Sequence, residues 1–170
     1  MNTADRSVWR SECERYTVII ESACLSEMVH LAREHGPNEV GTALVGSYSD
    51  DGFTARICRL APLTQDSRGG ARTFFRGVRG LRDFFLKIFT SSRGRMHYVG
   101  EWHSHPGGAA VPSFTDDENA LSIARDPRSD CPECVLIILA FSRADVELGV
   151  YVYSSSQGRV MLGSCSSPPS

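Results

Sequence analysis

Glu101 to Asp116 reads E-W-H-S-H-P-G-G-A-A-V-P-S-F-T-D. His103 and His105 are two positions apart. A strand sends residues i and i+2 to one face, so a single ion can touch both rings. Pro106 ends the ladder and Gly107-Gly108 let the chain turn. Asp116 follows His105 by eleven positions, just inside what reads as the next helix. Two imidazoles and one carboxylate leave the fourth tetrahedral position of a Zn²⁺ to water, the layout of a catalytic site rather than a structural one. Each part has a plainer reading. An isolated H-x-H fits two hydrogen-bonded histidines on a half-buried strand, and Ser113 with Asp116 reads as a helix capping box. Capping does not explain why P-S-F-T-D follows H-S-H-P at so short a distance.

H-S-H-P followed by S-x-x-D resembles the signature of the JAB/JAMM (MPN+) zinc metallopeptidases. The resemblance covers roughly residues 16–164. It implies that His103, His105 and Asp116 hold one Zn²⁺, that Glu39 acts as general base, and that Ser113 stabilises the oxyanion. The family's upstream E-x-G-G-x-L-x-G is matched by Glu39-Val40-Gly41-Thr42-Ala43-Leu44-Val45-Gly46, with Thr42 in place of the second glycine. The resemblance also implies the MPN/JAB, cytidine-deaminase-like fold.

The elements that must position these residues read as one domain over 16–164, after a loosely attached arm at 1–15 and before a disordered tail at 165–170. Tyr16 to Glu21 predicts a strand, and a helix follows from Ser22. Val40 to Tyr48 and Phe53 to Leu60 predict a hairpin around Asp50-Asp51-Gly52. Residues 64–71 read as loop. Gly77 to Thr90 predicts an amphipathic helix with Val78, Leu81, Phe85 and Phe89 on one side. Strict alternation along His97 to His103 puts Val99 and Glu101 on the face of His103, and Tyr98 and Trp102 on the other. Glu101 is thereby either a carboxylate supporting the metal ligands or a solvent-facing charge. Asp116 to Ala124 predicts a helix, Val135 to Phe141 a strand buried on both faces, and 147–153 and 159–163 closing strands. Without a regular βαβ repeat, the class is α+β, a mixed, mostly antiparallel sheet flanked by helices.

Composition narrows the field. The chain has 170 residues, 41% hydrophobic and 22% charged, with net charge −2. A chain of this length can bury a sizeable core. No apolar run is long enough to span a membrane, and Met1 to Arg15 has no apolar stretch of the kind a signal peptide needs, which predicts a cytoplasmic protein. The overall charge carries no nucleic-acid signature. Residues 64–96 stand apart, with eight basic residues and two acidic ones, and read as a solvated helix face or a surface for an acidic partner. Lys87 is the one lysine, which fits either codon bias or avoidance of modifiable lysines. Cys131-Pro132-Glu133-Cys134 has no second ligand pair to complete a structural zinc site, and no H-x-E accompanies it as a zinc deaminase requires. It reads as a loop entering a buried strand.

The resemblance is strongest to the prokaryotic single-domain members found with ubiquitin-activating-like and ubiquitin-conjugating-like proteins in antiphage operons. It implies an isopeptidase acting after the C-terminus of a ubiquitin-like or otherwise conjugated protein. Three other readings stay open: a peptidase processing a sulfur-carrier precursor, a RadC-like DNA-associated protein, and a non-catalytic scaffold. The scaffold is disfavoured because every ligand is present.

Overall fold

The structure is a computed structural model that describes residues 6–165. In chain order its elements are β1 (Arg6–Ser11), β2 (Thr17–Glu21), α1 (Ser22–His35), β3 (Gly41–Tyr48), β4 (Thr54–Leu60), β5 (Arg68–Gly70) and β6 (Thr73–Phe75). They continue with α2 (Leu81–Ser91), β7 (His97–Pro106), α3 (Phe114–Arg125), β8 (Glu133–Phe141), β9 (Val146–Ser154) and β10 (Gly158–Ser164). Eight strands form one sheet in the order β1-β10-β9-β8-β7-β3-β4-β2. β2 runs parallel to β4 and β7 parallel to β8, while the other pairs are antiparallel. The expected mixed, mostly antiparallel sheet is therefore present.

One expectation, the arm, is corrected, and the sheet is closed: β1 pairs with both β2 and β10 and completes a barrel. Closure satisfies the backbone groups that two open edges would leave exposed. Most of the arm expected at 1–15 is thus structural from Arg6 onward, with Trp9 packed on the core. Residues 1–5, and 166–170 of the expected tail, lie outside the described residues.

β8 shows why its sequence is an unbroken apolar run. Val135, Ile137 and Leu139 join a cluster with Cys24, Met28 and Ala32 of α1. Cys134, Leu136 and Ile138 face the other way, onto Ala120 and Ala124 of α3. Both faces of the strand are covered, so polar alternation has no place in it. On the α3 side of the sheet, α2 packs Leu81, Phe84, Phe85 and Ile88 against Ala43, Val45 and Tyr98. Val78 and Phe89, expected on that face, are exposed. The helix begins at Leu81, four residues later than expected, and Val78 lies in the turn before it, where the Asp66 carboxylate accepts from Val78 N and Arg79 N. Short β5 and β6 form a separate two-stranded hairpin, with β5 inside the segment 64–71 read as loop and β6 just after it.

β7 departs from strict alternation. Leu44 pairs with Gly100 but Val45 pairs with Tyr98, so Val99 is an extra, bulged residue. Gly100 sits in the bulge at φ 144°, where an added Cβ would meet the Val135 carbonyl oxygen at 1.9 Å. The bulge turns Val99 into the core with Trp102 and places Tyr98 on the face of Glu101, reversing the expected assignment of both.

Candidate metal centre

β7 carries His103 and His105 to the end of its parallel ladder with β8, and the 107–113 loop returns the chain to the start of α3. There a reciprocal capping box fixes Asp116. Ser113 Oγ accepts from Asp116 N at 3.3 Å, and Asp116 Oδ2 accepts from Ser113 N and Ser113 Oγ, each at 2.7 Å. The cap that starts the helix also orients the Asp116 carboxylate.

The three side chains converge. His103 Nε2 lies 3.1 Å from His105 Nε2 and 3.3 Å from Asp116 Oδ1. One ligand atom from each residue lies within 4.8 Å of the others, and among the described residues this is the one group of three or more such side chains that could hold a metal ion. The donor set fits the ion. His105 Nδ1 is 3.0 Å from the Ala109 carbonyl, so that nitrogen carries the proton and Nε2 keeps its lone pair for a metal. Burial pushes the Asp116 carboxyl up, but the hydrogen bond and charge of His103 and the Ser113 donors outweigh it and hold the group well below the usual carboxylate range. An ionised carboxylate beside two imidazoles is a donor set that could hold a divalent cation.

Glu39, two residues before β3, reaches the same place. It is 8% exposed and lines a cleft of about 430 Å³ with His105, Ser113 and Asp116. Burial raises its carboxyl above the ordinary value, with the two histidines pulling it down and Asp116 adding to the rise. β3 can pass this close to β7 because position 41 is glycine: a Cβ there would lie 2.2 Å from the Trp102 carbonyl oxygen. Thr42, the departure from the family pattern, accepts a 2.9 Å hydrogen bond from the buried Trp102 Nε1. The residue types in E-V-G-T thus answer to the strand opposite.

Residues 21–157 match the family described as prokaryotic homologs of the JAB domain. The chain belongs to this prokaryotic JAB family. A relative from Enterobacter hormaechei subsp. hoffmannii (strain UCI 50), named CD-NTase/cGAS isopeptidase, is 41% identical over 146 residues, covering 86% of this chain and 77% of that protein. Among solved structures, protein DSY2949 from Desulfitobacterium hafniense matches with a TM-score of 0.58 at 20% identity, over 84% of this chain and 87% of that one. That likeness concerns the fold alone.

Around the five residues singled out from sequence, this JAB domain places others that spacing did not reveal. Ser104, between the two histidines, points to the opposite face and is fully buried. Its Oγ accepts from Val40 N at 3.0 Å, and its own N–H donates to the Val40 carbonyl at 2.8 Å, which fixes the residue next to Glu39. Phe74 of β6 stacks over the His103 ring, with centroids 6.3 Å apart and planes at 23°. The hairpin reaches the site because Glu39 N donates to the Gly70 carbonyl at 2.8 Å. Two tyrosines on β9 hold the 107–117 segment: Tyr151 Oη donates to the Ala110 carbonyl at 2.8 Å and Tyr153 Oη to Asp117 Oδ1 at 2.5 Å. Each touches the neighbour of a residue that orients the site, Ala109 or Asp116.

Glu101 does not support the histidines. Its Oε1 accepts from Arg76 Nε at 2.7 Å and from Tyr98 Oη at 3.0 Å. Cys131 and Cys134 are buried, with the Cys131 Sγ 3.5 Å from Tyr48 Oη, and lie outside the cluster of His103, His105 and Asp116.

Proposed function

We propose that this JAB domain is a zinc-dependent isopeptidase that cleaves after the C-terminus of a ubiquitin-like or otherwise conjugated protein, reversing or processing conjugation in a bacterial antiphage system. The observation that carries the reading is the convergence of His103, His105 and Asp116 on one point of a cleft that Glu39 and Ser113 also line. The name of the 41% identical relative, CD-NTase/cGAS isopeptidase, supports the bond type and the setting.

His103, His105 and Asp116 would hold the ion, with the histidine Nε2 atoms facing the shared point. The chemistry Zn²⁺ supplies when bound is Lewis-acid activation, lowering the pKa of a water from about 15.7 towards 7 and polarising a carbonyl. Glu39 accepts a proton from the attacking water and passes it to the leaving amine; its raised carboxyl suits a group that must both take and give a proton near neutral pH. Ser113 has one hydroxyl proton, which serves Asp116 in the resting arrangement. Rotation about its Cβ–Oγ bond turns that proton to the developing oxyanion. β6 has no second strand partner among the described residues, and its outer edge is the place for an extended tail to add as a strand.

The purified protein is expected to carry roughly one Zn²⁺ per chain by inductively coupled plasma mass spectrometry. It is also expected to hydrolyse an isopeptide-linked ubiquitin-like conjugate, with His103→Ala losing both metal and activity. Full zinc occupancy in a His103→Ala, His105→Ala double variant would overturn the assignment.

A further inference from the structure

The metal centre opens on two sides. The cleft that holds Glu39 lies on the His105 side, and a second cavity of about 290 Å³ lies on the His103 side. The two meet at Phe74, Asp116 and Asn119. Small-molecule sites run to about 300–1,000 Å³, so the second cavity has room for one large side chain and its peptide unit rather than a whole ligand.

One side of it is apolar, formed by Phe74 and Phe75 from β6, Ile123 from α3 and Leu136 from β8. Its polar side carries Asn119 and Ser122 of α3 and the ligand candidates His103 and Asp116, together with Arg76 and Glu101, which are already joined to each other. That pair is incompletely satisfied. Glu101 Oε1 takes both Arg76 Nε and Tyr98 Oη, and Arg76 Nη1 donates to the Gly77 carbonyl at 3.3 Å. Among the described residues, Glu101 Oε2 accepts no hydrogen bond and Arg76 Nη2 donates none. A purely apolar occupant would strip water from both atoms without replacing it, at a cost of about 1–3 kcal/mol for each group. A peptide unit offers one N–H and one C=O. The complementary occupant is therefore an apolar side chain still attached to its backbone.

The direction of the chain follows from the chemistry. The amine that leaves must lie near the group that protonates it, so the leaving side occupies the Glu39 cleft. The acyl side then runs the other way, across His103 and along β6.

We infer that this cavity is a specificity pocket for a bulky apolar residue, of leucine size, in the C-terminal tail on the acyl side of the scissile bond, with Arg76 and Glu101 reading the peptide unit of that residue. The inference rests on the proposed roles of Glu39 and the metal ligands.

Peptidyl hydroxamates test it, because the hydroxamate chelates the metal and the peptide extends on the acyl side. The zinc-loaded full-length protein is titrated calorimetrically with acetohydroxamic acid and with N-acetyl-triglycyl hydroxamate. The same titration is then run with versions in which one glycine is replaced in turn by Leu or Asp. Leu at one of the three positions is expected to bind about tenfold more tightly than Gly, with Asp giving no gain. Ile123→Trp fills the cavity and is expected to reduce that preference to within about twofold, relative to the variant's own acetohydroxamate affinity. Ile123→Ala enlarges it and is expected to move the preference from Leu towards Phe. Glu101→Gln removes the waiting acceptor and is expected to weaken every peptidyl probe by about three- to tenfold whatever its side chain. Binding of acetohydroxamate without any leucine preference, or a preference that survives Ile123→Trp, overturns the pocket. Failure of acetohydroxamate to bind the zinc-treated protein sinks the metal-centre reading instead.

Discussion

Glu39 and Asp116 are two carboxylates at one site with opposite protonation tendencies. Burial dominates for Glu39, whose carboxyl is raised. Asp116 is also buried, but its hydrogen bonds to His103 and Ser113 overcome that effect and keep it ionised. Environments that push two acids apart suit one to proton transfer and the other to holding a cation. Glu39→Gln is expected to retain zinc, because Glu39 is no ligand in this reading, while hydrolysis falls by about 10²–10⁴-fold. Metal content and turnover measured on the same preparation decide it; a metal-replete Glu39→Gln variant that cleaves at the wild-type rate removes Glu39 from the mechanism.

At the scale of elements, the site is assembled where the end of β7 meets the start of α3, and β9 holds them in place. Tyr151 and Tyr153 are alternate residues on β9, so both point to the same face and reach the returning loop and the helix. Asp117 also accepts from Arg159 Nη1 at 3.0 Å, so α3 is tied to β9 and β10 together. Tyr153→Phe leaves the ring and the Arg159 contact but removes one hydrogen bond to a charged group, about 1.5–3 kcal/mol. A purely structural role would show only in the melting temperature. A role in positioning Asp116 predicts in addition a loss of zinc affinity of about tenfold, measured by chelator competition. Unchanged affinity in Tyr153→Phe confines the tyrosine to packing.

For the molecule as a whole, barrel closure is the feature with the largest consequence. β1 contributes ladders to β2 and β10 at once, and Trp9 packs against the core. Deleting residues 1–11 would expose two strand edges, which invite pairing between chains. For a chain of this size 1 kcal/mol moves Tm by about 2–4 °C. The truncation is expected to lower Tm by at least about 5 °C and to produce oligomers in light scattering. A truncated protein that stays monomeric with an unchanged Tm would make the segment a dispensable arm. None of the helices among the described residues is long and apolar enough to cross a membrane.

The sequence by itself determined what depends on residue type and short spacing. H-x-H on a strand, a capping serine three residues before Asp116, and an apolar run with no polar alternation are local patterns, and the structure places each where the pattern puts it. Tertiary structure decided what depends on partners distant in the chain. Arg6–Ser11 is polar enough to read as an arm, and only the two edges waiting at β2 and β10 make it a strand. The bulge at Val99 cannot be read from β7 alone, because it arises from register with β3, and it moved Tyr98 to the side of Glu101. Glu101 read, from its i, i+2 relation to His103, as either a support for the histidines or a solvent-facing charge; the partner it found is Arg76, 25 residues upstream and just past a hairpin too short to announce itself. Ser104 lies in the most conspicuous motif of the chain, yet its task is set by Val40, 64 residues away. Local pattern sets which way a side chain points only while the register with distant strands stays regular, and the closed sheet supplies what it points at.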